Sequence, residues 1–449
     1  MMTKIGIISL GCPRNQVDTE VMMGLLRNDG FSVSEGVEGC DIALINTCSF
    51  IKDAKEESIE IILEAEELKK RGDLKAIVVA GCLPQRYRSE LNGTLKAVDG
   101  FLGVGDVEKI PELIKKILKG KRAKIISRTP EYLYSDTSPR ISLTPPHYIY
   151  VKLSEGCSNN CSYCVIPKLR GKLRSRPIDS VVREVEMAAE SRKLSEINLI
   201  GQDITNYGVD RSGNPELTTL LKRLVKLKST PWIRLLYTHP AHYEDGLIDL
   251  VANEEVICKY LDIPFQHISD TVLKRMKRKV ARKDIEVLIK KVRKAIPELS
   301  IRTTFIVGFP GETDKEFEEL RNFVSDMKFE RMGIFTYSRE EGSPAYKFPK
   351  QVSEKVKKER FDELMRLQQD ISVENNNQFL GKTIEVLIDE KREKNSPFIL
   401  GRTQADAPEV DGTVYVNSKK QLRSGDFVPV KITDTLEYDL VGELYEPGK

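Results

Sequence analysis

A chain of 449 residues with 40% hydrophobic and 31% charged content has length for about two to four domains and enough apolar material for buried cores. Its net charge of +3 is too small to create a global field for nucleic acid. The apolar run Ile5 to Leu10 is too brief for a secretory signal, being cut off by Gly11-Cys12-Pro13, and no apolar stretch reaches the ~18 residues of a membrane span, so a cytoplasmic protein without membrane contact is expected.

From residue 3 to about 120, β-rich runs (Lys4 to Leu10, Asp41 to Asn46, Lys75 to Ala80, Ala97 to Val104) alternate with helical patterns (Asp18 to Asn28, Asp53 to Lys70, Pro84 to Leu91, Val107 to Leu118). That alternation predicts a parallel sheet covered by helices, an α/β domain over residues 1–125. Eight cysteines are sparse, and their spacing suggests no disulfide framework. Cys40 and Cys258 precede or start apolar runs and read as packing residues. Cys12, Cys48 and Cys82 each fall close to the end of a predicted strand, and the carboxyl ends of strands in such a sheet share one ligand-binding edge. Residues 36 and 34 apart in sequence could thus converge, either as a metal-binding triad or as three buried cysteines in loops.

Residues 126–146, punctuated by Thr129-Pro130, Ser138-Pro139 and Pro145-Pro146, read as a linker. Over residues 147–375 strand-like runs recur with helices between them: Tyr148 to Leu153, Glu196 to Ile200, Trp232 to Tyr237, Tyr260 to Pro264, Ile301 to Val307 and Arg331 to Tyr337. Six such units predict a partial TIM-type (β/α)6 barrel, with its chemistry at the strand C-terminal face. Directly after the first strand come Cys157, Cys161 and Cys164, with gaps of three and two residues and no fourth ligand nearby; His147 lies ten residues upstream and the next cysteine is Cys258. A structural zinc wants four ligands, whereas a cubane cluster takes one thiolate per iron. Three thiolates therefore point to an iron-sulfur cluster with one open iron; the alternatives are a zinc site completed from afar or a fortuitous cysteine-rich loop.

The pattern Cys-x3-Cys-x-Tyr-Cys, with Tyr163 as its aromatic, resembles the signature of the radical S-adenosylmethionine (SAM) superfamily. The resemblance implies a [4Fe-4S] cluster whose open iron holds SAM, and reductive cleavage of SAM to a 5′-deoxyadenosyl radical. The turns after the second and fifth strands, Gly201-Gln202-Asp203 and Gly308-Phe309-Pro310-Gly311-Glu312, occupy positions where that superfamily binds SAM, so Tyr163, Gly201, Gln202, Asp203, Gly308, Gly311 and Glu312 are candidate cofactor contacts. Tight turns after strands would equally explain the glycines. The stretch Leu261 to His267 also looks like a family motif, with no role derivable from its residues.

Ser9-Leu10-Gly11-Cys12-Pro13-Arg14-Asn15, Asn46-Thr47-Cys48 and Gly81-Cys82 resemble the N-terminal domain of the methylthiotransferases, which implies a second [4Fe-4S] cluster on Cys12, Cys48 and Cys82. Two basic runs accompany the barrel. Lys168, Arg170, Lys172, Arg174 and Arg176 could meet the SAM carboxylate or an acidic substrate. Lys274, Arg275, Lys277, Arg278, Lys279, Arg282 and Lys283 read as a solvated helical face that could alternatively meet RNA. A long charged helix is expected from Gln351 to about Gln378 with Val352, Val356, Phe361, Leu364 and Leu367 as its apolar stripe. Short alternating runs over residues 379–449 predict a small β-barrel, which resembles the TRAM domain that closes methylthiotransferases. TRAM domains usually bind RNA, yet from Gly381 onward ten Lys or Arg face thirteen Asp or Glu, a poor platform for phosphates and a better one for a basic protein.

Ser-Leu-Gly-Cys-Pro around Cys12 and Ser-Glu-Gly-Cys around Cys157 resemble the RimO-type branch, which modifies an aspartate β-carbon of a small-subunit ribosomal protein. Arg14 stands where a Lys is expected and keeps its charge. The resemblance implies a transferase that uses two clusters and two SAM molecules, a ribosomal protein substrate free or in the ribosome, a flavodoxin- or ferredoxin-type electron donor, and only secondary RNA contact. The alternatives are a tRNA adenosine 2-methylthiotransferase (MiaB type) and, from another class, a non-catalytic RNA-binding protein with structural metal sites.

Overall fold

A computed structural model of the chain describes residues 2–227, 231–390 and 396–446; Lys391, Arg392, Glu393, Lys394 and Lys449, counted in the charge balance above, lie outside them. The elements run in the order β1 (Lys4–Ser9), α1 (Pro13–Asn28), β2 (Ser32–Glu35), β3 (Ile42–Thr47), α2 (Lys52–Arg71), β4 (Ala76–Gly81), α3 (Cys82–Arg86), α4 (Leu91–Thr94), β5 (Gly100–Gly103), α5 (Ile110–Leu118) and β6 (Ala123–Ile125). There follow β7 (Tyr148–Lys152), β8 (Ser154–Glu155), α6 (Ile166–Arg170), β9 (Arg174–Ser175), α7 (Ile178–Ser191), β10 (Glu196–Ile200), α8 (Val209–Ser212), α9 (Leu217–Leu224) and β11 (Trp232–Leu235). The remainder comprises α10 (Asp245–Asn253), β12 (Ile257–Asp262), α11 (Asp270–Arg275), α12 (Arg282–Ala295), β13 (Ser300–Val307), α13 (Asp314–Met327), β14 (Arg331–Thr336), α14 (Glu354–Asn377) and β15 to β19 (Thr383–Glu390, Phe398–Arg402, Val414–Asn417, Phe427–Thr435, Leu440–Leu444). Two compact units result: residues 1–143, 152–184 and 338–346 form one, residues 144–151, 185–337 and 347–449 the other. No helix among the described residues is long and apolar enough to cross a membrane.

The first unit is built on a parallel sheet of order β2-β1-β3-β4-β5-β6. Its inner strands β3 and β4 are buried at every residue, as continuous apolar runs covered on both faces should be. The edge strands β2 and β6 have no such run, which is why the sequence pattern does not announce them. Helix α1 starts at Pro13, ahead of the expected Asp18, because proline is preorganised for the first helical turn. Apolar periodicity misses that turn, since the core side of α1 carries Asn15, Asp18, Thr19 and Glu20, all buried. The helix expected over Pro84 to Leu91 is two short pieces, α3 and α4, split by a turn in which Glu90 N–H donates to the Tyr87 carbonyl at 2.9 Å.

In the second unit six strands form an open sheet of order β14-β13-β12-β11-β10-β7, and β15-β16-β17-β19-β18 close into a separate barrel. Burial along β13 alternates: Ile301, Thr303, Phe305 and Val307 are buried while Arg302, Thr304 and Ile306 are half-buried. Phe305 meets Phe323 of α13 edge-on at 6.4 Å, so the buried set faces the helices and the Arg302 set lines the concave side. The expected apolar stripe of α14 is corrected here. Of its five residues, only Leu364 is buried; the face that packs inward also carries Lys357, Arg360, Gln368, Ser372 and Asn376, because it serves carbonyls and carboxylates such as the Tyr337 carbonyl and Glu312.

The segment after β16 closes the other end of the open sheet with charge. Arg402 donates to Glu196 at 2.7 Å and to Asp389 at 2.7 Å, Arg331 donates to Asp406 at 2.6 Å, Tyr260 to Asp411 at 2.7 Å and Tyr148 to Glu409 at 2.8 Å. Glu196 is fully buried between Arg402 and Arg234. Arg402→Ala is therefore expected to destabilise the protein by roughly 3 kcal/mol, the cost of stripping a partner from a buried ion pair. A urea midpoint within error of wild type would refute that.

Candidate active site

Local chain geometry brings three thiols to one edge of the first unit. Cys12 caps the N-terminus of α1 directly after β1, and its carbonyl accepts from Asn15 N–H at 2.8 Å. Cys48 follows β3, with its N–H donating to Ser58 Oγ at 3.2 Å, and Cys82 is the first residue of α3 after β4. Gly11 has a φ of +89°, and a Cβ there would lie 2.7 Å from Cys48 Cβ and 3.1 Å from its sulfur. Only glycine lets the first two loops approach so closely. Asn15 Nδ2 donates to the Leu10 carbonyl at 2.7 Å, and Asn46 Nδ2 donates to the Asn15 carbonyl at 2.9 Å, tying the ends of β1 and β3 to α1. These asparagines sit beside cysteines in both motifs, yet the sequence reading attached no role to them.

The three thiols share a field. Burial raises Cys12, but Arg14, whose Nε donates to its sulfur at 3.5 Å, and Arg170 bring it down to about 7. Burial pushes Cys48 up to about 12, with Cys82 and Cys12 as like-charged neighbours. Cys82 is raised by burial and opposed by Arg170, whose Nη2 donates to its sulfur at 3.8 Å.

The second triad lies in the same unit. Gly156, at φ +74°, leaves no room for a Cβ against the Lys172 and Gly171 carbonyls, so the chain doubles back immediately before Cys157. Cys157 N–H then donates to the Gly171 carbonyl at 3.1 Å. Backbone N–H groups point at the sulfurs: Asn159 donates to Cys157 and Ile166 to Cys164, both at 3.4 Å. Burial lifts Cys164 to about 12, with the Ile166 N–H and the charge of Arg14 opposing it. Arg14 thus acts on a thiol of each triad. Tyr163 is half-buried beside Cys164. Among the described residues no cysteine is engaged in a disulfide.

What joins the triads is a buried quartet of charges. Arg170 Nη1 donates to Asp18 at 3.0 Å and to Glu155 at 2.9 Å, while Lys152 donates to Asp18 and, at 2.7 Å, to Glu155. Asp18 belongs to the helix that Cys12 caps; Glu155 and Arg170 flank the Cys157–Cys164 loop. Burial works against the Glu155 charge, but Arg170 and Lys152 outweigh it and hold the carboxyl well below the usual carboxylate range. Arg170 and Arg176, expected to meet a ligand carboxylate, are instead internal: both are buried, and Arg176 is paired with Glu184 at 2.5 Å. The segment 338–346 adds a strap, in which Glu340 pairs with Arg86 at 2.7 Å and Lys55 at 2.8 Å, and Ala345 N–H donates to the Ser162 carbonyl at 2.8 Å.

The remaining candidates lie in the second unit. Gly201 is buried and Gln202 half-buried after β10. Asp203 accepts from Thr205 at 2.5 Å and Asn206 at 2.9 Å and lies 2.9 Å from His242 Nδ1; burial opposes its charge, yet the His242 hydrogen bond and the nearby His239 help bring it to about 2. Asp203, His239 and His242 form a group whose ligand atoms lie within 4.8 Å of one another. Gly308 and Gly311 have φ of +73° and +80°, and a Cβ at either would strike Lys357 or Arg275. Glu312 is raised by burial to about 7, against the opposing charge of Arg360, from which it accepts at 2.8 Å; it also accepts from Phe309 N–H at 3.1 Å. Of the second basic run, Arg275 and Arg278 turn inward to the Gly311 and Pro264 carbonyls, and Lys274, Lys277, Lys279 and Lys283 are exposed.

Residues 4–103 match the description Uncharacterized protein family UPF0004, residues 151–324 the Radical SAM superfamily and residues 380–444 the TRAM domain. The chain is 47% identical to the "Ribosomal protein uS12 methylthiotransferase RimO" of Desulforamulus reducens, over 99% of its own length and 100% of that relative's. It is 48% identical to the protein of that name from Syntrophotalea carbinolica, over 99% and 97%. Among solved structures, the radical S-adenosylmethionine methyltransferase TsrM from Kitasatospora setae is similar in fold, with a TM-score of 0.57 at 14% identity over 88% of this chain and 79% of that one.

The quartet yields a pH test. Glu155→Gln leaves Lys152 and Arg170 sharing one carboxylate, at an expected cost of about 3 kcal/mol. Because the folded Glu155 ionises below the ordinary glutamate value of about 4.3, its contribution is full above that value and is lost as pH falls toward the folded one. Urea midpoints of wild type and E155Q should stand apart at neutral pH and converge in acid. A constant gap would refute the ion-pair account.

Proposed function

The chain belongs to the ribosomal protein uS12 methylthiotransferase (RimO) family of radical SAM enzymes, and on that premise we propose that it replaces a β-C–H hydrogen of an aspartate in uS12 with a methylthio group. The observation that carries this reading is the pair of cysteine triads, none of them in a disulfide, in one compact unit, tied together through the buried Asp18, Glu155, Lys152 and Arg170. We assign one [4Fe-4S] cluster to Cys157, Cys161 and Cys164 and a second to Cys12, Cys48 and Cys82. The donor sets fit: each triad leaves one iron of a cubane open, and N–H donors already face the sulfurs of Cys12, Cys82, Cys157 and Cys164, where they would stabilise thiolates and tune a cluster. When bound, those groups would supply a 5′-deoxyadenosyl radical at Cys157, Cys161 and Cys164 and, at Cys12, Cys48 and Cys82, sulfur and a SAM-derived methyl group.

The protein's own work is positional. Gly11 and Gly156 allow the loops their close turns, the quartet fixes one triad against the other, and burial of Cys82 and Cys161 keeps water from those two sulfurs. Tyr163, Gly201, Gln202 and Asp203 are proposed to contact SAM. Gly308, Gly311 and Glu312 are proposed to act through the shape of their turn, since Lys357, Arg275 and Arg360 already occupy their side. A flavodoxin- or ferredoxin-type protein is the proposed electron donor, and the cytoplasm the proposed site of action.

The test is anaerobic reconstitution followed by iron analysis and exposure to uS12 and to an isopentenylated tRNA anticodon stem-loop. Wild type should bind roughly eight irons per chain and Cys12→Ala about four. The variant should still cleave SAM while failing to methylthiolate uS12. Methylthiolation by C12A would refute the second-cluster assignment, and modification of the RNA alone would overturn the substrate.

A further inference from the structure

Two guanidinium groups, both in the first compact unit, address the sulfurs of one triad. Half-buried Arg14 donates from Nε to Cys12 Sγ at 3.5 Å, and buried Arg170 donates from Nη2 to Cys82 Sγ at 3.8 Å. Arg14 lies in the first turn of α1, two residues after the cysteine that caps it, and Arg170 ends α6 just beyond Cys164. The aim of Arg170 is fixed by groups other than the sulfur. Its Nη1 is held by Asp18 at 3.0 Å and Glu155 at 2.9 Å, and its Nη2 also donates to Asn15 Oδ1 at 3.4 Å, while Asn15 is itself anchored on the Leu10 carbonyl at 2.7 Å. The other triad is met differently. Cys157 and Cys164 receive the neutral backbone N–H groups of Asn159 and Ile166, both at 3.4 Å.

Net charge, burial and hydrogen bonds to the sulfurs set the potential of an iron-sulfur cluster. Any N–H aimed at a sulfur stabilises the more negative, reduced state, and one from a cation does so about twice as strongly as one from a neutral group. Asp18 and Glu155 balance the net charge of Arg170, but the N–H that faces Cys82 is still the positive end of a charge-assisted donor. The direction suits the chemistry. When sulfur passes from iron to a carbon radical, the new C–S bond takes one electron from the carbon and one from the sulfur–iron pair. The second electron of that pair stays on the iron, so the cluster ends one electron more reduced. Reductive cleavage of SAM asks the opposite of its cluster, which must give an electron away. We infer that Arg14 and Arg170 hold the cluster on Cys12, Cys48 and Cys82 at a higher reduction potential than the one on Cys157, Cys161 and Cys164, and so ready it for the electron that sulfur transfer leaves behind. The inference rests on the reading of two clusters, with sulfur delivered from the first.

The experiment is a redox titration, followed by electron paramagnetic resonance, of reconstituted full-length chains. Each cluster is read alone, in a chain whose other triad carries Cys→Ala at all its positions. The cluster on Cys12, Cys48 and Cys82 should titrate above its counterpart. Arg14→Met should make its reduction roughly tenfold less favourable, a fall of about 59 mV for one electron, and shift the other cluster by less than about half as much. Arg14→Lys, which keeps the charge, should recover most of that loss. Arg170→Lys keeps a cation for Asp18 and Glu155 but cannot send a second nitrogen to Cys82, and should lower the same potential at unchanged iron content. Unmoved potentials in R14M and R170K, equal shifts in the two clusters, or a reversed order in the wild-type background overturn the inference. About four irons rather than eight on the wild-type chain would instead remove the cluster on Cys12, Cys48 and Cys82, and with it the reading on which the inference rests.

Discussion

The first unit depends on a neutral cluster of four buried charges. Asp18 and Glu155 against Lys152 and Arg170 form a closed exchange in which each acid is bonded to both bases, so no member is left as an isolated buried ion. Such clusters contribute little net stability compared with a well-packed apolar core, and removing one member is expensive. What the cluster confers is register. Hydrophobic packing would hold α1 near the loop of Cys157 with tolerance for sliding; ion pairs at 2.7 to 3.0 Å do not slide. For chemistry that hands a carbon radical to a sulfur, a fixed separation between two thiol triads is worth more than a few kcal/mol of stability.

Arg170 extends that logic from geometry to electrostatics. One nitrogen of its fork closes the quartet, and the other reaches Asn15 Oδ1 at 3.4 Å and the Cys82 sulfur at 3.8 Å. A residue that follows the second motif in sequence thus joins both in space. The strap 338–346 repeats the theme from another side: Arg86 donates to the Ser49 carbonyl at 2.6 Å while pairing with Glu340, and Ala345 reaches Ser162. Loops following Cys48, Cys82 and Cys161 are therefore held by one short segment.

Much of this was legible in the sequence and some was not, for identifiable reasons. Central strands such as β3 and β4 announce themselves because both faces are buried, and the cysteines do so because three thiols with no fourth ligand have few uses. Edge strands β2 and β6 carry no apolar run. The first turn of α1 escapes an apolar reading because Pro13, Arg14, Asn15 and Gln16 open it, with Asn15 turned inward, and the stripe of α14 does so because its inward residues include Lys357 and Arg360. In each case polar side chains occupy core-facing positions to serve a site or a neighbouring carbonyl, and a reading that equates core with apolar must fail there. Arg170 and Arg176 show the converse: in a basic run read as available to a ligand carboxylate, these two arginines are buried on internal acids while Lys168 and Lys172 stay exposed.

The same reasoning bears on the C-terminal barrel. Its acidic balance had suggested a basic partner, yet several of those acids are spent inside the second unit: Asp389 and Asp406 on arginines, Glu409 and Asp411 on tyrosines. Charge counted along a sequence measures what a domain carries, whereas the field it offers a partner comes from what is left unpaired. Asp389 and Asp406 are neutralised by Arg402 and Arg331, whereas Glu409 and Asp411 keep their charge while accepting from tyrosine hydroxyls. The barrel's most evident electrostatic task is internal: it supplies Arg402 to Glu196 and Asp406 to Arg331.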